Sequence, residues 1–181
     1  MTPSELVIRS EQPEDYAAIA DVVEDAFKSP VEARLVEAIR ASTNYVAEFS
    51  LVAELGGRIV GHVMISHTAL RENGGERWIA MLSPLAVAPD VHGRGIGSAL
   101  VRAVTARADE RGEPLVILEG SPAYYGRFGF EHSVAHGIHL PLPSWAPPEA
   151  AQVLRLKRYD SSISGLVVYP PAFDGLTESP H

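Results

Sequence analysis

The sequence of 181 residues predicts an α+β fold in which helices flank a mixed and mostly antiparallel sheet. Three patterns support this prediction. Apolar and polar residues alternate through three consecutive segments after Tyr45, and glycine-rich turns separate these segments, as in an antiparallel meander. Helical periodicity occupies two segments before this region. A further amphipathic helix after Gly95 joins two apolar strands, which predicts one parallel crossover.

The first third of the chain is predicted to form one strand and two helices. Residues 4–12 have the short, β-branched character of a first strand. Asp15–Phe27 and Pro30–Ile39 follow the helical period, and the first of them carries an apolar stripe. Because proline suits the first turn of a helix, Pro30 marks the start of the second one.

The rest of the chain is predicted to place strands around a long helix. The predicted strands lie within residues 45–55, 59–70, 77–87, 115–119, 151–158 and 165–170. The helix Gly95–Arg111 is expected to stop at Gly112, which Pro114 follows. A short helix is predicted over Pro122–Phe128, with Ser121 as its N-cap.

Composition and charge restrict the function. The length favours one domain over residues 1–181, with its core at about 5–136 and C-terminal strands at about 150–170. The chain has no cysteine, which excludes disulfides, thiolate metal sites and cysteine nucleophiles. A formal charge of −8 disfavours nucleic acid and suits a cationic small molecule. No secretory leader or membrane-spanning segment is recognisable, so a cytoplasmic protein without a membrane partner is expected.

The glycine-rich segment LAVAPDVHGRGIGSALV, residues 85–101, is the most informative part of the sequence. A strand is predicted to end at Val87, and three glycines then lead into a helix. Such a turn offers backbone N–H groups and the positive end of a helix dipole, which bind phosphates without a lysine. The nucleotide P-loop needs a lysine that this loop lacks. The dinucleotide fingerprint would place its third glycine on Ser98, and although Glu119 suits such a site, the upstream meander does not.

Val87-x-Pro89 followed by HGRGIGSAL resembles the acetyl-CoA signature of the GNAT superfamily of N-acyltransferases, and of one bacterial subfamily of predicted N-acetyltransferases in particular. Two glycines match the signature, whereas His92 stands where glutamine or arginine is usual. The segments GSPAYYGRFGF and VVYPPAF extend the resemblance through most of the chain. It implies that acetyl-CoA is the cosubstrate and that the loop holds its pyrophosphate. The implied binding residues are His92, Gly93, Arg94, Gly95, Ile96, Gly97 and Ser98.

The resemblance also implies a GNAT-like three-layer fold with splayed central strands. Pro84 cannot donate a hydrogen bond to its neighbouring strand, so the third meander strand is predicted to be interrupted or bulged near Ser83 and Pro84. In GNAT proteins the pantetheine arm pairs with freed backbone at this place. Leu85, Ala86 and Val87 are therefore assigned to the cosubstrate.

Transfer of an acyl group from a thioester to an amine needs a neutral amine and a proton for the departing thiolate. A lysine-like ammonium has a pKa near 10.4, so a base or a water path must remove its proton. Glu119 and Ser83 are the candidate bases. By resemblance, Tyr125, four residues before Gly129, is the acid, and a backbone N–H near Val87 holds the oxyanion.

The two adjacent tyrosines of SPAYYGRFGF are predicted to differ in role. Neighbouring helix residues point about 100° apart, so they cannot face one cleft in the same way. Tyr124 lies four residues before Phe128, a spacing that suits an aromatic pair, which leaves Tyr125 for the thioester. No metal site is expected, because His132 and His136 on one strand would lie about 13 Å apart.

These patterns and the resemblance predict an acetyl-CoA-dependent N-acetyltransferase that acts on a primary amine of a small molecule or peptide. One alternative is a noncatalytic acyl-CoA-binding or sensor module that has lost its base. A weaker alternative is a dinucleotide-binding oxidoreductase. The acceptor is expected to contact the break between the first two helices, Phe27–Pro30, and the loop of Trp145. An exposed C-terminal strand could pair with a second copy, as in a homodimer.

Overall fold

The computed structural model describes residues 5–174, so Ser4, where the first strand was predicted to begin, lies outside it. Its contacts define two compact units. The first unit takes the chain up to Ile65 together with Ser83–Arg107, and the second takes Ser66–Leu82 and the chain from Ala108 onward. The single domain expected over residues 1–181 stays a prediction. Three elements run from one unit into the other: Arg58–Glu72 (β3), Gly75–Val87 (β4) and Ile96–Glu110 (α3).

The first unit combines antiparallel strands with helices. Besides its parts of β3, β4 and α3, it contains Leu6–Ser10 (β1), Tyr16–Phe27 (α1), Val31–Arg40 (α2) and Ser50–Leu55 (β2). β1 pairs with β2, and β2 pairs with β3, both antiparallel. The register of β2 and β3 shifts between Ala53 and Glu54. Residues 45–49 were predicted as strand but instead contain the 3-10 turn Ala47–Phe49, which buries the Phe49 ring.

The two helices α1 and α2 lie where the sequence predicts them. Lys28, with a left-handed φ of 57°, ends α1. The Val31 N–H at the start of α2 donates to Ser29 Oγ at 3.2 Å. Both helices are amphipathic and bury one apolar face in the first unit. The buried side chains are Ile19, Val22, Val23, Ala33, Leu35, Val36 and Ile39.

Helix α3 approaches the sheet of the first unit closely at Gly61. A Cβ atom at this position would lie 2.9 Å from Leu100 Cδ1 and 3.2 Å from the Ala86 carbonyl oxygen. Only a residue without a side chain therefore lets α3, β3 and β4 come this near to one another. The packing fixes the start of α3, which is where the glycine-rich segment enters the helix.

A buried polar cluster surrounds Glu11 in the first unit, and we call its members Glu11, Arg40, Tyr45, Ser50 and His62 the Glu11 cluster. Oε2 of the carboxylate accepts from Arg40 Nε at 2.8 Å and from the Tyr45 hydroxyl at 2.9 Å. Oε1 accepts from Ser50 Oγ at 2.5 Å and from His62 Nε2 at 3.2 Å. Burial works to raise the pKa of Glu11, but its hydrogen bonds with His62, Arg40 and Ser50 outweigh burial and hold this pKa well below its usual range.

The second unit contains the remaining strands. Besides its parts of β3, β4 and α3, its elements are Leu115–Glu119 (β5), Pro122–Tyr125 (α4), Glu131–His132 (β6), Ile138–His139 (β7), Ala151–Arg155 (β8) and Gly165–Val168 (β9). β4 pairs with β5 in parallel at two positions, Ala80 with Val116 and Met81 with Ile117. β8 pairs antiparallel with β5 and with β6, β3 pairs antiparallel with β9, and β7 pairs with β9 in parallel. The short strands β6 and β7 were not predicted.

The strands and helices of the two units confirm the predicted α+β class with a mixed, largely antiparallel sheet. Near Ser83 and Pro84 the interruption lies in the pairing of the sheet and not in the strand itself, because among the described residues β4 pairs with β5 only at Ala80 and Met81 although β5 continues to Glu119. β4 is one continuous strand through this residue, and the Ser83–Pro84 peptide bond is cis. A proline remains within a strand where the neighbouring strand does not need its missing N–H.

Candidate functional site

The first unit carries the glycine loop, which we define as residues 88–98. The loop leaves β4 through the 3-10 turn Pro89–Val91, and residues from His92 to Gly95 are exposed. Gly93 and Gly95 have left-handed φ angles of 81° and 78°, which other residues adopt only with strain. Apart from the two adjacent residues of the chain, none of the residues that the structure describes has an atom within 4 Å of a Cβ built on either glycine. Conformation requires these glycines, and open space for a ligand lies beside them.

The start of α3 follows the second of these glycines directly. The Ala99 N–H donates to the Gly95 carbonyl at 3.0 Å, so the first intrahelical hydrogen bond begins at Gly95. The amides in the first turn of a helix have no acceptor within the helix, and the helix dipole adds a partial positive charge at this end. Buried Ile96 anchors the turn in the first unit. The arrangement suits an anion such as a pyrophosphate.

His92, the residue that departs from the family signature, bonds to the loop's own backbone. Its Nε2 lies 3.0 Å from the Val87 carbonyl oxygen, to which it donates. The imidazole thus ties the exposed part of the loop to the end of β4. A second tie is the exposed ion pair between Arg58 and Asp90, with N–O distances of 2.8 and 3.0 Å.

The end of β4 alternates between buried and half-buried residues. Ala86 is buried, whereas Ser83, Leu85 and Val87 are each half-buried, as expected for the two faces of a strand. The half-buried side chains share one face in the first unit. Within the described residues, the Ser83 hydroxyl forms no hydrogen bond.

The second unit carries the other candidate chemistry at the carboxyl end of β5. Glu119 is the last residue of this strand, and its Oε1 accepts a hydrogen bond from the Tyr169 hydroxyl at 2.5 Å. Part of Glu119 remains exposed, yet the surrounding protein atoms desolvate the carboxyl group. Burial raises the pKa of Glu119, and the hydrogen bond from Tyr169 offsets only part of that increase. Burial and the neighbouring carboxylate also raise the pKa of Tyr169.

Tyr125 packs against the residue that follows Glu119. A Cβ on Gly120 would lie 2.5 Å from Cε2 of the Tyr125 ring, so the ring rests on the Gly120 backbone. The ring also meets the buried Phe130 ring edge to face, with centroids 5.7 Å apart. Burial raises the pKa of Tyr125 to about 12, with a further contribution from Tyr124. The Tyr125 hydroxyl forms no hydrogen bond within the described residues.

The backbone beneath this tyrosine is held from two directions. Gln152 Nε2 donates to the Gly120 carbonyl at 2.8 Å, and the Gly120 N–H donates to the Ala150 carbonyl at 2.9 Å. Gln152 is buried and lies on β8. We call Glu119, Gly120, Tyr125 and Tyr169 the β5-end cluster.

The predicted difference between the two adjacent tyrosines has a structural basis. Ser121 caps α4, since its Oγ accepts from the Tyr124 N–H at 3.4 Å. Tyr124 and Phe128 form the predicted aromatic pair, with centroids 5.5 Å apart. The two tyrosine rings lie edge to face at 4.9 Å. The short helix ends at Tyr125 and continues as the 3-10 turn Gly126–Phe128 rather than as α-helix.

Sequence reasoning missed Tyr169 as a site residue. It directly follows β9, and its ring packs against Phe173 with centroids 5.5 Å apart. The tyrosine within VVYPPAF was a usable signal, because the backbone of a residue before two prolines is restricted. Its partner Glu119 lies 50 residues earlier, so nothing local in the sequence pairs them.

The two segments predicted to contact the acceptor lie one in each unit. Phe27–Pro30 forms the predicted break between α1 and α2 in the first unit. Trp145 lies in a turn of the second unit with 49% of its surface exposed.

Among the described residues, no three His, Asp or Glu side chains are grouped so as to hold a metal ion. Within residues 5–174, no helix is both long enough and apolar enough to cross a membrane.

Comparison with known proteins finds similar sequences and similar structures, and the two kinds of match agree. A sequence-family model described as an acetyltransferase (GNAT) domain matches residues 7–133. The Escherichia coli K12 protein named uncharacterized N-acetyltransferase YhbS is 31% identical over 173 residues, which cover 93% of this chain and 99% of that protein. The crystal structure of Escherichia coli YhbS in complex with CoA has a TM-score of 0.85 at 30% identity, over 96% of this chain and 94% of that one. A GNAT family acetyltransferase from Brucella melitensis in complex with acetyl-CoA has a TM-score of 0.76 at 31% identity, over 94% and 99% of the two chains. These likenesses confirm the predicted GNAT-like fold.

Proposed function

Because this chain belongs to the GNAT family of acetyltransferases, we propose that it transfers an acetyl group from acetyl-CoA to a primary amine of a small molecule or peptide. The amine attacks the thioester directly, without a covalent enzyme intermediate. Family membership excludes the dinucleotide-binding oxidoreductase alternative. In addition, Ser98 stands where the dinucleotide fingerprint needs its third glycine, and the strands β2 and β3 that precede β4 pair antiparallel.

The glycine loop is the observation that carries this proposal. Two left-handed glycines and the start of α3 give this loop backbone amides and a helix dipole, and both support binding of the pyrophosphate of acetyl-CoA. Two similar proteins of 30% and 31% identity were crystallised with CoA and acetyl-CoA. The proposed contacts are the loop residues 92–98 for the pyrophosphate and Leu85, Ala86 and Val87 for the pantetheine arm. Arg94, which is exposed on the loop, adds a cationic contact.

The β5-end cluster supplies the proposed acid and base. Glu119 takes a proton from the acceptor ammonium, and a raised carboxyl pKa makes it a better base near neutral pH than an ordinary glutamate. The amine nitrogen then bonds to the acetyl carbon, and the carbon–sulfur bond breaks. The Tyr125 hydroxyl protonates the departing thiolate. The nitrogen gives up its second proton as the tetrahedral intermediate collapses, and this proton restores the Tyr125 phenol. Overall, one proton of the ammonium ends in solvent and one on the sulfur of CoA.

Ser83 is the weaker candidate base. A serine hydroxyl accepts a proton only when a second group activates it, and the Ser83 hydroxyl has no such partner within the described residues. We therefore assign the base to Glu119. The acceptor, an interaction between two copies and a cytoplasmic location remain proposals, as do contacts of the acceptor with Phe27–Pro30 and Trp145.

The proposal is tested by release of free CoA with a panel of amines that covers polyamines, amino acids, antibiotics and peptide N-termini. Calorimetry with acetyl-CoA alone is the parallel measurement. Binding together with amine-dependent CoA release supports an acetyltransferase. Binding without release from any acceptor supports the noncatalytic acyl-CoA-binding alternative, and absence of binding contradicts both.

Gly95→Ala tests the glycine loop, and Gly57→Ala is its matched control. Gly57 lies in the turn between β2 and β3 with a φ of 79°, and within residues 5–174 only its two chain neighbours come within 4 Å of a Cβ built on it. Both substitutions strain the backbone equally. We expect Gly95→Ala alone to weaken acetyl-CoA binding, by roughly tenfold or more. Equal losses of affinity in the two variants would contradict the assignment of the glycine loop as the binding site of acetyl-CoA.

A further inference from the structure

The Glu119 carboxylate has two oxygens in different environments. Oε1 accepts the 2.5 Å hydrogen bond from the Tyr169 hydroxyl, and Oε2 accepts none from any residue that the structure describes. The backbone of Glu119 is fixed by antiparallel pairing of β5 with β8, in which Glu119 lies opposite Ala151. A hydrogen bond thus fixes Oε1, whereas the lone pairs of Oε2 accept no hydrogen bond from the described residues.

The tyrosine that holds this oxygen is itself fixed by the surrounding structure. β9, which Tyr169 follows, pairs with β3 through Ala69 and Val168, and the Thr68 hydroxyl donates to the Val168 carbonyl at 2.9 Å. Beyond Tyr169 the chain turns at two prolines, and the ring packs against the buried Phe173. Positioning groups of this kind need locked side chains, because a catalytic group works only within a narrow range of orientations.

We propose that Tyr169 is the positioning residue of the Glu119 base. Its hydroxyl binds one carboxylate oxygen and turns the other toward the proton of the acceptor amine. This inference rests on the proposed function, in which Glu119 is the base. It gives the C-terminal strand β9 and the Tyr169–Phe173 segment a role in the reaction of the β5-end cluster.

The hydrogen bond also sets the working pH of the base. It stabilises the ionised carboxylate and so works against the increase in pKa that burial causes. Without the bond, Glu119 would stay protonated to a higher pH. Tyr169 itself remains protonated at neutral pH, because burial and Glu119 raise its pKa. It therefore acts as a permanent donor.

The first test is a direct titration of the Glu119 carboxyl carbon by NMR in protein labelled with 13C-glutamate, with Glu119→Gln used to assign the signal. In Tyr169→Phe, the pKa of Glu119 should rise. Tyr159→Phe is the matched control, because Tyr159 is a half-buried tyrosine of the same unit whose ring contacts His136 and Arg155, and it should leave the titration unchanged. Incorporation of 3,5-difluorotyrosine at position 169 strengthens the donor and should lower the pKa of Glu119.

The second test is the pH dependence of kcat with the best acceptor. The acid limb should move to higher pH in Tyr169→Phe, with a loss of roughly tenfold on that limb and a plateau within roughly threefold of wild type. KM for acetyl-CoA should not change, since Tyr169 acts on the base alone. A structural defect would instead lower activity at every pH and reduce the urea midpoint.

The failures of the two proposals are distinguishable. An unchanged Glu119 titration in Tyr169→Phe overturns the pairing, whatever the activity. A titration that moves without any shift of the pH–rate profile overturns the positioning role, because Glu119 is then not the base. A wild-type protein that releases no CoA with any amine refutes the proposed function and with it the positioning role, while the NMR titration still reports the hydrogen bond.

Discussion

Glu11 in the first unit and Glu119 in the second are both carboxylates near the end of a strand, and each accepts a hydrogen bond from a tyrosine hydroxyl. Their pKa values nevertheless move in opposite directions. Glu11 receives hydrogen bonds from four side chains, two of them Arg40 and His62, and its pKa is lowered. Glu119 receives a single hydrogen bond, and burial raises its pKa. The number of donors therefore decides whether burial leaves a carboxylate permanently ionised or ready to take a proton.

The tyrosines of the two clusters differ in the same way. The Tyr45 hydroxyl donates its proton to Glu11, so this proton already has an acceptor within the Glu11 cluster. The Tyr125 hydroxyl has no hydrogen-bond acceptor within the described residues, and its pKa of about 12 keeps it protonated at neutral pH. Its proton is thus available to a bound ligand. A tyrosine whose proton is given to a carboxylate of the fold contributes to stability, whereas one whose proton has no acceptor in the fold can serve a reaction.

The largest difference between the clusters should appear when Glu119 becomes glutamine. Glu119→Gln should lower kcat by roughly 10³-fold, because a neutral amide cannot take a proton. Near pH 4.5, where Glu119 is largely protonated in the folded protein, stability should change by less than about 0.5 kcal/mol, since the amide oxygen can still accept from Tyr169. CoA release and urea unfolding measure the two effects. Retained turnover would show that another group, with Ser83 first among them, acts as the base.

The matching change in the first unit should have the reverse effect. Glu11→Gln leaves the cation of Arg40 without its counter-charge in a largely buried place, so the free energy of unfolding should fall by about 3 kcal/mol. That loss corresponds to a decrease in Tm of roughly 6 to 12 °C for a chain of this length. Turnover of the folded protein should stay within roughly threefold of wild type. If kcat fell strongly while stability stayed at the wild-type level, Glu11 would serve the reaction, and the two clusters would not differ in role.

A pair of tyrosine substitutions sharpens the comparison. Tyr125→Phe should lower kcat by roughly 10²-fold by removing the proton for the thiolate, with acetyl-CoA affinity retained. Tyr45→Phe should leave kcat nearly unchanged and cost about 1.5 kcal/mol of stability, because a hydrogen bond to a charged group is lost. Steady-state kinetics and urea unfolding of both variants provide the measurement. Unchanged turnover in Tyr125→Phe would remove this residue from the mechanism.

Much of the fold could be predicted from local sequence patterns. The helical period placed α1, α2 and α3 within a residue or two, and strand β5 was predicted at its observed bounds. The glycine loop was predicted because its conformation depends on glycine itself, as the positive φ angles of Gly93 and Gly95 show. Such features depend on residues that are neighbours in sequence.

The unpredicted features depend on residues far apart in sequence. Tyr169 meets Glu119 across 50 positions, and His62 meets Glu11 across 51. Neither contact has a local signal, because each partner belongs to a different strand or follows one. The two-residue strands β6 and β7 are too short to show an alternation. The continuous path of β4 through Pro84 likewise depends on neighbouring strands, not on the proline alone.

The smallest expected effect is a difference in how the two carboxylates link stability to pH. Glu11 has a folded pKa below its ordinary value of 4.5, so below about pH 4.5 the unfolded chain binds more protons and stability falls as the pH falls. Glu119 has a folded pKa above that value, so between 4.5 and its folded pKa the folded protein binds more protons. Across this window Glu119 lowers stability as the pH rises.

Urea unfolding of wild type, Glu11→Gln and Glu119→Gln from about pH 3.5 to about pH 8 should separate these contributions. That of Glu11 is worth about 1.4 kcal/mol per unit of pKa difference, and that of the exposed Glu119 is smaller because solvent screens it. Relative to wild type, Glu11→Gln should lose least stability at the acid end, where Glu11 is already becoming protonated in the unfolded chain. Glu119→Gln should gain relative to wild type as the pH rises above 4.5. The same sign of slope in both variants would mean that Glu119 is stabilised as an anion like Glu11, and such a carboxylate would be too weak a base for the proposed reaction.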